Sequence, residues 1–400
     1  MQPNTMIAWR SALRGAALLS GVALAACSAP ERLPAVPAAL RDQAEVAGMP
    51  GVRLTADLSG ILRDVQEATQ RERDALAAAG HTGPLPPADY LALSGGGDKG
   101  AFGAGLLNGW TAAGARPEFK LVTGVSTGAL IAPFAFLGPK YDALLKGIYT
   151  GISGKDIMEK RTLLAAVFDD AMADNAPLWR LTRKSVDEAM LRAIAAEHAK
   201  GRFLLIGTTN LDAMTPTIWN VGKIAASGHP RALELVHGIL IASAAIPGAF
   251  PPVLIDVEAG GNRYQEMHVD GGTTAQVFVY PAAYRLKEET GALGIERERR
   301  MYVIRNARLD PEWAQVERRT LSIAGRSISS LIQTQGRGDL FRIHSLALRD
   351  EVDFNLAYIP ETFNAPHEED FDTGYMRALF QVGYDMAANG YPWAKAPPGY

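Results

Sequence analysis

The chain has 400 residues, 48% hydrophobic and 21% charged, the profile of a folded globular protein with room for a large core. A formal net charge of −3 and a pI near 6.2 leave no clustered basic footprint for nucleic acid. A lone cysteine, Cys27, excludes an intramolecular disulfide and any cysteine-rich metal site.

At the start of the chain, Arg10 and Arg14 precede an apolar stretch from Gly15 to Ala26, with small residues leading into Cys27. A basic region, a short apolar region and small residues read as a secretory signal; the stretch is too short to cross a bilayer comfortably. "LAAC", Leu24 to Cys27, looks like a bacterial lipobox. The expectation is therefore a lipoprotein signal peptide over 1–26, export across the inner membrane, and membrane anchoring through lipidated Cys27. Ser28 is compatible with sorting to the periplasmic face of an outer membrane. Residues 27–85 read as a proline- and alanine-rich tether followed by a helix, with Leu58, Leu62, Val65 and Leu76 at roughly helical spacing.

"GHTGPLPPADY" breaks the chain near residue 85, and strands then alternate with helices. "DYLALSG" is a strand, Lys99 to Ala113 a helix, "FKLVTGV" a strand and "STGALIAPFAFL" a buried helix. Val186 to Ala199 forms an amphipathic helix, and "RFLLIGTTN" and "TPTIWNV" pair as strands before the buried helix of "ALELVHGILIASAAI". Strands follow at "EMHVDGG" and "MYVIRNA", and helices over Trp313 to Leu348 and Tyr375 to Ala388. This alternation predicts an α/β sandwich with a largely parallel central sheet: a core over 86–285, and a mainly helical portion over 286–400 completing the same domain.

Two glycine motifs lie at strand ends. Gly124-Val125-Ser126-Thr127-Gly128 fits G-x-S-x-G, in which a serine sits on a sharp strand-to-helix turn; glycines two residues either side remove Cβ atoms that would collide there. The other, "LALSGGGDKGAFGAG", satisfies the dinucleotide fingerprint as Gly95-x-Gly97-x-x-Gly100. A nucleotide cofactor would need an acid at the end of the next strand to hold the ribose. The nearest acid, Glu118, precedes that strand, and Ser126 stands at its end. The amides of Gly96 and Gly97 would then face the space above Ser126, an oxyanion-hole arrangement.

Ser126 needs a base. "MHVDGGTT" places Asp270 at the end of a strand, before Gly271 and Gly272, where a desolvated carboxylate can take the serine proton; an ordinary Asp-Gly turn reads equally well from that motif alone. His268 shares the strand face of Asp270, so a histidine-assisted variant stays open. A Ser-Asp-His order would need His344 or His367, neither in a loop that looks poised. No H-E-x-x-H or metal-spaced histidine pair supports a zinc hydrolase.

In that order, "SGGGDKGAFGAG", "GVSTG" and "DGG" resemble the patatin-like phospholipases, with "ASAAIPGAFPPV" (Ala242 to Val253) similar to the family's proline-containing block. The resemblance covers about residues 90 to 280. It implies a patatin-like three-layer α/β/α fold, a Ser-Asp dyad of Ser126 and Asp270, an oxyanion hole from the Gly95, Gly96 and Gly97 backbone, and no metal or other cofactor. Lys99 stands where the family usually has arginine, so a planar, bidentate clamp is lost there. The implied activity is hydrolysis of fatty-acyl esters of phospholipids or lysophospholipids in a membrane, without nucleic acid or nucleotide. A carboxylesterase or thioesterase of soluble acyl substrates and a non-catalytic lipid-binding lipoprotein remain as alternatives.

Overall fold

The computed structural model describes residues 32–54, 58–160 and 171–399. The signal, Cys27 and its lipidation lie outside these residues. Nine strands form the main sheet: β1 (Arg53–Leu54), β2 (Ala88–Leu93), β3 (Phe119–Gly124), β4 (Phe203–Asn210), β5 (Thr215–Asn220), β6 (Val253–Ala259), β7 (Asn262–Asp270), β8 (Arg299–Arg305) and β9 (Asp353–Tyr358). The order runs β1-β5-β4-β3-β2-β8-β9, with β7 also on β4 and β6 on β7. Strands β4, β3, β2, β8 and β9 are mutually parallel; β1, β5, β6 and β7 join antiparallel.

Seven longer helices cover the sheet: α1 (Leu58–Ala78), α2 (Gly100–Ala112), α3 (Thr127–Leu137), α4 (Glu188–Ala199), α5 (Ala232–Ser243), α6 (Thr320–Arg349) and α7 (Thr373–Ala388). Leu91 and Leu93 of β2 pack into a core with α2, α3 and α7, while Tyr90 and Ala92 face α1 and the C-terminal half of α6. Every residue of β2 is buried because both sheet faces are covered, which is why the strand reads as a continuous apolar run.

Two segments differ from expectation. The proline- and alanine-rich stretch expected to be a tether is packed in its described part, with Val36 and Leu40 against the core, and directly after it Ala44, Val46, Met49 and Val52 join the core while Glu45 pairs with Glu258 of β6. Its apolar spacing buries side chains that a free linker would leave in water. Beyond residue 285 the mainly helical portion carries two strands where one was expected, β8 directly beside β2 and β9 beside β8. The first of these is "MYVIRNA"; the second, Asp353–Tyr358, carried too short a pattern to separate from its flanking helices. Helix α6 starts at Thr320 rather than Trp313, with no side-chain cap at Arg319.

Candidate active site

Adjacent parallel strands deliver the site at one end of the sheet. In the last paired row Leu93 stands opposite Gly124 on one side and Ile304 on the other. The ladder runs on one step, with Val125 N–H donating to Leu93 O at 3.2 Å and Ser94 N–H to Ile304 O at 3.1 Å. Ser126 and the glycine loop therefore leave the sheet side by side.

Ser126 has φ +54° and ψ −127°, a left-handed backbone that costs a non-glycine residue about 1–3 kcal/mol. Its N–H donates to Ser243 Oγ at 3.0 Å, and that hydroxyl donates on to Gly207 O at 2.6 Å. The turn admits no side chains around it. A Cβ at Gly124 would meet Gly128 O at 2.5 Å, and one at Gly128 would strike Leu93 O. A Cβ at Gly100 would strike the Thr127 hydroxyl, itself 2.6 Å from Tyr149 Oη.

Asp270 reaches Ser126 because β3 stops where it does. On β4, Ile206 pairs with Gly124 of β3, while Thr208 pairs with Asp270 of β7. The far edge of β4 belongs to β5 over the same residues, so β7 occupies the line that β3 has just vacated. The carboxylate is 5% exposed and accepts from Gly272 N–H at 2.7 Å, with the Ser126 hydroxyl close enough to favour its charged form. Burial pushes its pKa up to about 6, against the opposing pull of the Ser126 hydroxyl and the Gly272 N–H. Gly271 is held so close to Gly207 that a Cβ would strike the Gly207 carbonyl.

Gly95, Gly96 and Gly97 differ among themselves. Gly95 lies beside Ser126, where a Cβ would sit 3.2 Å from the serine Cβ, but its N–H donates to Gln276 O at 3.1 Å. Gly96 presses on the Asn306 backbone so closely that a Cβ would strike the Asn306 carbonyl. Gly97 has φ +59° with open space where a side chain would be. Among the described residues the N–H groups of Gly96 and Gly97 have no protein acceptor. Lys99 turns away to pair with Glu312, its Nζ 2.6 Å from Oε1.

Several residues that hold the loop were not singled out from sequence. Asn306, fully buried just past β8, donates from Nδ2 to Ser94 O at 2.9 Å, accepts Gly103 N–H at 3.1 Å, and donates its own N–H to Ser94 Oγ at 2.8 Å. Gln276 joins the loop to the Asp270 turn, its Nε2 donating to Gly272 O at 2.8 Å while its own N–H goes to Asp339 of α6 at 2.7 Å. Asp98 accepts from His367 Nε2 at 2.7 Å and from Phe371 N–H at 3.1 Å. A polar residue ending an apolar strand ("YVIRN") or a serine inside an apolar helix ("LIAS") was the only signal for Asn306 and Ser243.

The candidate histidines stand elsewhere. His268 is fully buried, with Nδ1 3.0 Å from Thr208 Oγ1 and Nε2 3.1 Å from Glu266, and desolvation drives its pKa down. His344 packs against Phe354, and His367 stacks on Tyr375 beside Asp98. Among the described residues no group of three or more His, Cys, Asp or Glu is placed to hold a metal ion. A largely apolar cavity of about 400 Å3 is lined by Val125, Gly207 and Gly271, neighbours of the site residues, and by Ile61, Tyr90 and Phe278; Ser126 and Asp270 themselves do not line it.

Residues 91–283 match the family model of patatin-like phospholipase, so the chain carries that domain, and the match supports lipid acyl hydrolysis as the class of activity. VipD from Legionella pneumophila, a solved structure, is similar at 13% identity with a TM-score of 0.37, covering 76% of this chain and 66% of that one, just under two thirds of its length. No curated protein matches the sequence.

Proposed function

With a patatin-like phospholipase domain as the premise, we propose that the chain is a serine hydrolase of fatty-acyl esters in phospholipids or lysophospholipids, working through a Ser126–Asp270 dyad. The observation that carries this reading is a left-handed serine at the end of one strand beside a buried carboxylate that burial pushes toward its protonated form. Ser126 Oγ attacks the acyl carbonyl carbon while its proton passes to Asp270. The new oxyanion accepts from the Gly96 and Gly97 amides, which water would otherwise solvate less selectively. Asp270 then gives the proton to the departing lysolipid alcohol, leaving an acyl-serine. Water attacks that ester as Asp270 takes its proton, and the fatty acid leaves as Ser126 is reprotonated.

The apolar cavity beside Val125 and Gly271 is the space we assign to the acyl chain; its size falls within the ~300–1,000 Å3 of small-molecule sites. In the same reading the chain acts at the periplasmic face of an outer membrane, held by lipidated Cys27, and Cys27→Ser should abolish labelling by a fatty-acid probe in cells. The decisive experiment compares lipid products from mixed phospholipids with the parent and with Ser126→Ala. Release of free fatty acid by the parent alone is expected, with fluorophosphonate labelling that the variant loses. Undiminished turnover by Ser126→Ala overturns the dyad. Turnover of soluble short-chain esters without any of phospholipid would make the substrate a soluble acyl ester, and no turnover or labelling at all would favour a lipid-binding role.

A further inference from the structure

Along the N-terminal half of α6, no described residue covers the apolar side. Ile328 is 52% exposed, Leu331 69% and Ile332 38%. With 3.6 residues per turn, these three and Ala324 fall on one side of the helix, Arg319, Arg326 and Arg337 on the opposite side, and Ile323 between. From Arg318 to Gly338 the chain has four arginines and no acidic residue, in a protein whose formal net charge is −3. None of the described helices is long and apolar enough to cross a membrane, so α6 does not span one. Arg319 pairs with Glu317 at 3.4 Å just before the helix, while Arg326 and Arg337 face no carboxylate of this stretch; an apolar stripe backed by arginines is what an anionic lipid surface holds in its interface plane.

The position agrees with that occupant. α6 follows β8, whose C-terminal end is also the end of β3 that bears Ser126. Exposed Met214 and Trp313 follow the same ends of β4 and β8, and exposed Ile246 adjoins Ala245, whose carbonyl accepts the Asp270 N–H. The exposed half of the helix is also tied to the site on either side: Arg326 donates to the carbonyl of Glu312, the partner of Lys99, and Asp339, in the middle of α6, accepts from Gln276.

We propose that the exposed half of α6 docks flat on an anionic phospholipid surface and sets the mouth of the Ser126 site against it. The proposal rests on the acyl-hydrolase reading for its purpose, yet binding can be measured without turnover. The full chain carrying Cys27→Ser, which removes any acyl anchor, is sedimented with vesicles of phosphatidylcholine alone or with phosphatidylglycerol, beside the same protein carrying Ile328→Asp and Leu331→Asp. Stronger binding to the anionic vesicles is expected, reduced about tenfold or more by the double substitution, with cleavage of a soluble short-chain ester unchanged. Arg318→Glu with Arg337→Glu, which leaves the apolar stripe intact, should remove the salt-sensitive part of the binding. Equal binding with and without the apolar pair, no preference for anionic vesicles, or a dimer that the substitutions dissolve while vesicle binding persists would each overturn it. Loss of soluble-ester cleavage in the parent would instead count against the Ser126 reading and leave the binding result standing.

Discussion

Asp270 carries a conflict between stability and chemistry that pH can expose. Its folded pKa of about 6 lies above the ordinary 3.8, so the fold favours the protonated carboxyl. The sign follows: this group costs nothing below about pH 4, and its penalty grows as pH rises through 6, to about 3 kcal/mol. Asp270→Asn should therefore unfold at higher denaturant than the parent at pH 8 and no higher at pH 4, while losing turnover at both. In the parent, kcat/KM on a soluble ester should fall as pH drops below about 6, because a protonated Asp270 cannot accept the serine proton. A flat profile from pH 5 to 8 would remove it as the base. Gly96 makes a second test at this scale. Alanine there strikes the Asn306 carbonyl, so the loop must shift and its amides with it. A loss of about 100-fold or more in kcat is expected, the cost of a misplaced oxyanion donor.

Among elements, the loop after β2 is held from its neighbours rather than by its own residues. Asn306→Ala would leave Gly103 N–H and Ser94 O without their partner in a dry interior. Urea unfolding should show a loss of about 2–4 kcal/mol, and turnover should fall with it. The Lys99–Glu312 pair is of another kind, with Glu312 half-exposed, and contributes at most about 1 kcal/mol. Glu312→Gln should leave the melting temperature almost unmoved. The local signals here were uneven. "GVSTG" and "DGG" announced their turns because glycine spacing and strand ends are local properties. Nothing near Asn306 in the sequence said that its amide would clamp a loop some 200 residues earlier.

The whole molecule closes only when the C-terminal third is in place. β8 pairs with β2 through six residues, and the end of the helix after it, near Asp339, holds Gln276. A fragment ending at residue 285 would expose the full edge of β2 and both sheet faces, so it should be insoluble or molten, as read by near-UV circular dichroism and gel filtration. A folded, active fragment would show that β8 and α6 are dispensable. The family match stops at 283; the sheet does not.

By itself the sequence determined what local pattern can encode: alternating strands and helices, a serine between flanking glycines at a strand end, an acid before Gly-Gly, and naked amides after β2. It also named Ser126 and Asp270 without showing that they meet, because a separation of 144 positions is bridged by strand pairing alone. Tertiary structure decided that β7 takes the line β3 vacates, that Gly95 gives its amide to Gln276 while Gly96 and Gly97 keep theirs, and that Lys99 turns to Glu312. Each of these depends on which backbone groups are satisfied once the sheet has closed, and periodicity along one chain does not record that.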